Sequence, residues 1–258
     1  MTKLEFKFTN DTLFKMVFVK HPDLLKRLVA LLLGIAFESI TEFVITNPEM
    51  PPEALKEKFC RLDINMRVNG KRVNLEIQVV NEHDYPERSL YYWAREYSSA
   101  LVKKQPYSEL PEVIVISIID FPLFDCGEYF SRYQILETNR HTLLTPKLDM
   151  RYYELGKLPE ILDSEDEEQL MLAVFKAKTE EELSRLDEME APIVKQAIKA
   201  YRQVVVLPEF RELERLRSDA RHNEASALLN AKRIGYQDAA EDFRGVITER
   251  EATIANQV

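Results

Sequence analysis

The sequence is poor in glycine and in cysteine, with six and two in 258 residues. The glycines gather into no phosphate-binding loop, and neither G-x-S-x-G nor H-E-x-x-H occurs. A Rossmann fold is therefore not expected. Cys60 and Cys126 form no C-x-x-C pair, and His21, His83, His141 and His222 lack metal-ligand spacing. Neither a disulfide framework nor a zinc site is suggested, and a reducing compartment fits. No run reaches the ~20 apolar residues of a membrane span. The opening Met-Thr-Lys-Leu-Glu-Phe-Lys-Phe lacks the apolar stretch of a signal peptide. The expected location is cytoplasmic, with no membrane partner. No internal repeat or low-complexity tract is present.

Charge is plentiful but uneven. Of the net −9, residues 159–258 carry −8 (22 acidic, 14 basic) and the first 158 carry −1. The acidity belongs to the C-terminal part, which leaves room for a basic surface earlier in the chain. Together with the change of composition at Pro159, this predicts two regions. Residues 1–160 form a domain able to fold alone, and residues 161–258 form an acidic all-helical region.

The most informative stretch is Phe59–Val80. Apolar and polar residues alternate on both sides of Asn69-Gly70, the strongest short-range signal for a two-residue hairpin. Leu62, Ile64, Met66, Val68, Val73, Leu75, Ile77 and Val79 share one face. Arg61, Asp63, Asn65, Arg67, Arg72, Asn74, Glu76 and Gln78 share the other. With Val68 and Lys71 flanking the turn, Asp63 falls directly opposite Glu76. Like charges so placed destabilise a sheet. A divalent cation between them would turn the repulsion into a ligand pair. The bland alternative is a solvated face, its acids screened by Arg61, Arg67 and Arg72.

Around the hairpin, Thr9-Asn10-Asp11 marks a helix start with Asp11 at or near the N-cap, and capping is its simplest role. Pro22 opens a second helix, Asp23–Leu33, closed by Gly34 and deeply buried. A strand is expected at Thr41–Ile45. After the hairpin comes a helix from Glu87 to Lys103, with Leu90, Trp93, Ala94, Tyr97 and Leu101 as its apolar stripe. Arg88, Tyr92, Arg95 and Ser99 form a second stripe, either a solvated shoulder or a set of phosphate contacts. Val113–Ile119 reads as a strand buried on both faces. Further strands are expected at Phe130–Glu137 and Met150–Leu155. The helices after Pro159 end in a highly charged one, Glu209 to about Arg233, read as a solvated arm or a homo-oligomerisation helix.

Several blocks occur in a telling order: Asn10-Asp11-x-x-Phe14-Lys15-x-x-Phe18, Arg61-Leu62-Asp63, Leu75-Glu76-Ile77-Gln78, Arg88-x-x-Tyr91-Tyr92, and Val113-x-x-Ile116 followed by Phe121-x-Leu123-Phe124. Over about residues 5–160 the chain resembles the recombination-promoting nuclease (Rpn) and transposase family of the PD-(D/E)XK nuclease superfamily. The resemblance implies an α/β, restriction-endonuclease-like core: a central mixed β-sheet flanked by helices. It also implies Mg²⁺-dependent cleavage of DNA phosphodiesters (Mn²⁺ being the alternative metal), linked to recombination or mobile elements. Asp63 and Glu76, with a main-chain carbonyl near Ile77, would hold the metal. Gln78 stands where the superfamily usually has lysine and would position the attacking water. Asp11 matches an acid of the first helix, and Arg88, Tyr92 and Arg95 would meet DNA. Gln105-Pro106-Tyr107 departs from relatives that carry glycine before the tyrosine. Two rival readings are a DNA-binding protein that has lost cleavage and a partner-binding scaffold using the C-terminal helices.

Overall fold

The computed structural model describes residues 2–47, 64–101 and 106–255. Helix α1 (Asp11–Lys20) is capped by Asn10, whose Oδ1 accepts from the Leu13 N–H at 2.8 Å. The cap is thus Asn10. Asp11 is the first helical residue, its Oδ1 accepting from the Thr12 N–H at 2.9 Å, and its charge suits the positive end of the helix. Helix α2 (Pro22–Leu33) starts on its proline and stops at Gly34, which takes the left-handed conformation (φ 67°) that glycine adopts without a Cβ penalty.

The hairpin forms in the predicted register. Strands β2 (Ile64–Val68) and β3 (Lys71–Gln78) pair from Ile64↔Leu75 to Val68↔Lys71. Asn69 and Gly70 both have positive φ, 48° and 76°, as the tightest two-residue turns require. The turn also anchors the segment leading to β1 (Phe43–Ile45): Asn69 Oδ1 accepts from the Thr41 and Glu42 N–H groups at 2.9 and 3.1 Å.

After helix α3 (Tyr85–Ser99) the chain adds β4 (Val113–Ile119), β5 (Phe130–Tyr133) and β6 (Leu148–Glu154). The six strands of the described residues lie in the order β1-β2-β3-β4-β6-β5. The β3-β4-β6 core is parallel, and the flanking pairs are antiparallel. Every residue of β4 is buried, as its unbroken β-branched run predicts. Strand β5 is shorter than expected because Leu136 turns away to bridge Leu143. Side-chain alternation separates the faces. Arg151 Nη1 and the Tyr153 hydroxyl donate to the Leu32 carbonyl at the end of α2, while Tyr152 shares a 2.7 Å hydrogen bond with Ser89 of α3. The sheet is thus covered by α2 on one face and α3 on the other, the restriction-endonuclease-like α/β arrangement.

Helix α3 turns a different side to the sheet from the one its composition suggests. Tyr85, Ser89 and Tyr92 are its buried residues, while Leu90, Ala94 and Leu101 of the predicted apolar stripe are exposed. The reason lies in the surface it covers. That face presents Glu76, Ser117 and Tyr152, so hydroxyl-bearing residues dock better there than leucines.

The composition break at Pro159 is not a break in packing. Helices α4 (Glu167–Lys176) and α6 (Pro192–Val205) pack on α1 and α2, and α5 (Glu180–Glu188) packs on both α4 and α6. Phe8, Phe14 and Phe18 surround Phe175 of α4, with centroids 5.2, 5.6 and 6.1 Å away. The acids that made this region look separate occupy first helical turns, Glu167 and Glu168 in α4 and Glu180–Glu182 in α5. The N-terminal segment is tied to the same helices. The Leu4 N–H donates to the Lys178 carbonyl and the Glu180 N–H to the Thr2 carbonyl, both at 3.0 Å, and the Tyr201 hydroxyl donates to the Phe6 carbonyl at 2.7 Å. The first compact unit accordingly runs to Glu212, and the second takes in the chain from Leu213. Helix α7 (Pro208–Ala255) extends well beyond its expected end, and residues 221–244 are exposed throughout.

Candidate active site

On strand β3 the polar face of the hairpin is not a solvated one. Strand β3 lies between β2 and β4 with α3 over this face, so Asn74 and Glu76 are only 4 % and 8 % exposed. Arg72 is held as well: its Nη1 donates to the Glu96 carbonyl at 3.1 Å and to Ser99 Oγ at 2.8 Å. A buried carboxylate needs compensation. For Glu76 part of it comes from α3, where the Tyr85 hydroxyl donates to Oε2 at 3.3 Å. Ser117, the β4 partner of Glu76 in the ladder, adds a buried hydroxyl to the same face.

Tyr85 is suited to act as a fixed donor. It is fully buried and lies edge-on to Phe121 and Tyr152, and the Arg88 guanidinium sits 4.9 Å from its ring centroid. Burial, then the neighbouring charge of Glu76, holds its hydroxyl well above the ordinary tyrosine range. Sequence reasoning passed over this residue, which lies two positions before the expected helix start at Glu87. A tyrosine beside a helix-opening proline, seven residues beyond Gln78, was the available signal.

Gln78 projects from the same face as Glu76, two residues on, and its Nε2 donates to the Val80 carbonyl at 3.1 Å. Ile77 lies between them with its side chain toward the opposite face. Asp63 and the preceding Arg61 lie outside the described residues. Asp11 stands at the start of α1, a helix that reaches β3. Arg88 is beside Tyr85 and ion-paired to Glu82 at 2.5 Å. Tyr92 is 7 % exposed, packed within the helix–sheet interface, and Arg95 is exposed farther along α3. The structure thus gathers Glu76, Gln78, Tyr85 and Arg88 around the end of β3. Among the described residues no group of three or more His, Cys, Asp and Glu side chains forms a metal cluster. No helix of the described residues is long and apolar enough to cross a membrane.

No curated protein and no solved structure matches the chain. The profile of one family does, over residues 8–231, well past the stretch in which the sequence blocks occur. That span takes in the hairpin, α3, the whole sheet, α4 to α6 and the first half of α7. The chain belongs to the PD-(D/E)XK nuclease family transposases.

Proposed function

We propose that the protein is a metal-dependent DNA endonuclease in which Asp63 and Glu76 are the metal-holding acids. Membership of the family supports a nuclease-like function linked to mobile elements, and such a function implies DNA as substrate. The observation that carries the finer reading is Glu76 itself, a carboxylate buried on the central strand. The described rungs of its ladder, Ile64↔Leu75 to Val68↔Lys71, have the register from which the sequence pairs Asp63 with Glu76. Burying an acid on a central strand costs stability, which favours a functional reason for its place there. PD-(D/E)XK nucleases generally use divalent metals, and the donors here are hard oxygens: the Glu76 carboxylate, the Ile77 carbonyl and the Asp63 carboxylate. That set suits Mg²⁺ or Mn²⁺. When bound, the ion lowers the pKa of a water and neutralises charge on the phosphate. Gln78 would orient that water through its amide, and Arg88 and Arg95 would meet flanking phosphates. Asp11 is a candidate first-helix acid.

A second reading, DNA binding without cleavage, is favoured by one residue. Gln78 is neutral where the superfamily usually has a cation, and it cannot lower the pKa of a water as lysine would. Purified protein incubated with plasmid at low salt in Mg²⁺, Mn²⁺, Ca²⁺ or EDTA separates the two. Nicking in Mg²⁺ or Mn²⁺ and not in EDTA is expected. Binding in every buffer with nicking in none would establish the second reading, and neither binding nor nicking would end both.

Tyr85→Phe tests the hold on Glu76. The ring stays and the donor goes, so the Mn²⁺ affinity of the DNA-free protein, followed by calorimetry, should fall roughly 10–100-fold, the usual effect of losing a hydrogen bond that orients a ligand. Unchanged Mn²⁺ affinity would show that Tyr85 only packs.

A further inference from the structure

Beside Glu76 the same face of the hairpin opens into a cleft of about 190 Å³, lined by Thr46, Asn65, Arg67, Arg72, Asn74 and Glu96 among others. We propose that this cleft seats a backbone phosphate of the substrate DNA strand, within about four nucleotides of the cleaved bond. The proposal rests on the nuclease reading and adds to it a site for the flanking strand. Three observations carry it.

The first is position. Arg67↔Arg72 and Asn65↔Asn74 are alternate rungs of the ladder that leads to Glu76. Each two-residue step is about 6.8 Å, so the arginine rung lies about 13 Å from the acid. One strand of duplex DNA advances about 3.4 Å per nucleotide along the helix axis, so the gap spans at most about four steps. The second is charge. Two arginines directly opposite each other repel. Glu96 lies 3.5 Å from Arg72 and compensates one of them. Arg67 is exposed and makes no ion pair among the described residues. The described residues of the cleft therefore keep one net positive charge, matched to the single negative charge of a phosphodiester. The third is the floor. Asn74 Nδ2 donates to Asn65 Oδ1 at 2.8 Å, so the rung between the arginines and the acid carries amides on this face. Amides and guanidinium groups are the usual partners of phosphate oxygens.

The test uses the full chain and a fluorescent DNA duplex in Ca²⁺ without Mg²⁺, with affinity measured by anisotropy across a salt series. Arg67→Ala should weaken binding about tenfold at low salt and reduce the slope of log K against log [salt] by about one. Arg67→Lys should restore the slope. Lys199→Ala, which removes the same charge from an exposed site on α6, should leave the slope unchanged. Among the described residues Arg67 has no ion-pair partner that its loss would strand, so thermal melts should coincide. Wild-type binding with an unchanged slope in Arg67→Ala, or an equal loss in Lys199→Ala, would overturn the phosphate site and leave the nuclease reading standing. Failure of the wild-type protein to bind DNA would overturn both. Inorganic phosphate, added at matched ionic strength, should compete with DNA for wild type and not for Arg67→Ala; equal competition in both would also count against the site.

Discussion

Glu76→Gln is expected to lower Mg²⁺-dependent nicking by roughly 10³-fold or more, the scale of several kcal/mol of lost metal assistance. Glutamine preserves the volume and leaves the Tyr85 hydroxyl an acceptor, so the buried site is not emptied. Glu76→Ala would strand that hydroxyl and add about 1–3 kcal/mol of destabilisation, which would confuse the reading. DNA binding in EDTA should stay within a few-fold of wild type for Glu76→Gln. Thermal melts give an independent view. A ligand that binds only the folded state stabilises it by RT ln(1 + [L]/Kd), so wild type should gain stability on adding Mg²⁺ and Glu76→Gln should lose most of that gain. Asp63→Asn should behave in the same way. A carefully purified Asp63→Asn/Glu76→Gln double variant that nicks within tenfold of wild type would end the assignment of these acids.

The second large effect concerns where the fold ends. A fragment of residues 1–160 is expected not to fold, and one ending at residue 212 is expected to fold. Cutting at 160 removes Phe175 from the centre of Phe8, Phe14 and Phe18, and strips α6 from α1 and α2. Each large side chain so uncovered gives up roughly 1.5–3 kcal/mol. The three phenylalanines alone approach the ~5–15 kcal/mol net stability of a typical domain. Near-ultraviolet circular dichroism and gel filtration of both fragments decide it. A monomeric 1–160 fragment that unfolds cooperatively would show that the helices merely decorate a complete core.

What could be read from the sequence was set by local chemistry. Asn69-Gly70 fixed the turn, the turn fixed the register, and the register put Glu76 on the polar face, all from pairwise rules. The apolar run of β4 announced a strand buried on both sides. Three things were hidden because they depend on what a segment meets rather than on what it is. The side of α3 that docks is polar because the sheet surface it meets carries Glu76, Ser117 and Tyr152, so the more apolar stripe was the wrong guide. The acidic residues after Pro159 looked like a boundary, whereas their helices bury Leu170, Phe175, Ile198 and Tyr201 on the other side. Tyr85 gave little sign of its part because its hydroxyl reaches back to Glu76, on a strand nine residues earlier.

The attachment of the N-terminal segment to residues 178–201 also bears on how the chain is made. Thr2, Leu4, Phe6 and Phe8 find hydrogen-bond and ring partners in α4 to α6 and the turns between them. A ribosome adding about 5–20 residues per second needs roughly 10–40 s to go from one to the other. Throughout that interval Phe8, Phe14 and Phe18 are synthesised but lack Phe175, and α1 and α2 present an uncovered apolar surface. The nascent chain is therefore an expected client of holding chaperones until α6 has emerged. Premature termination anywhere in the sheet would release a sticky intermediate rather than a smaller nuclease.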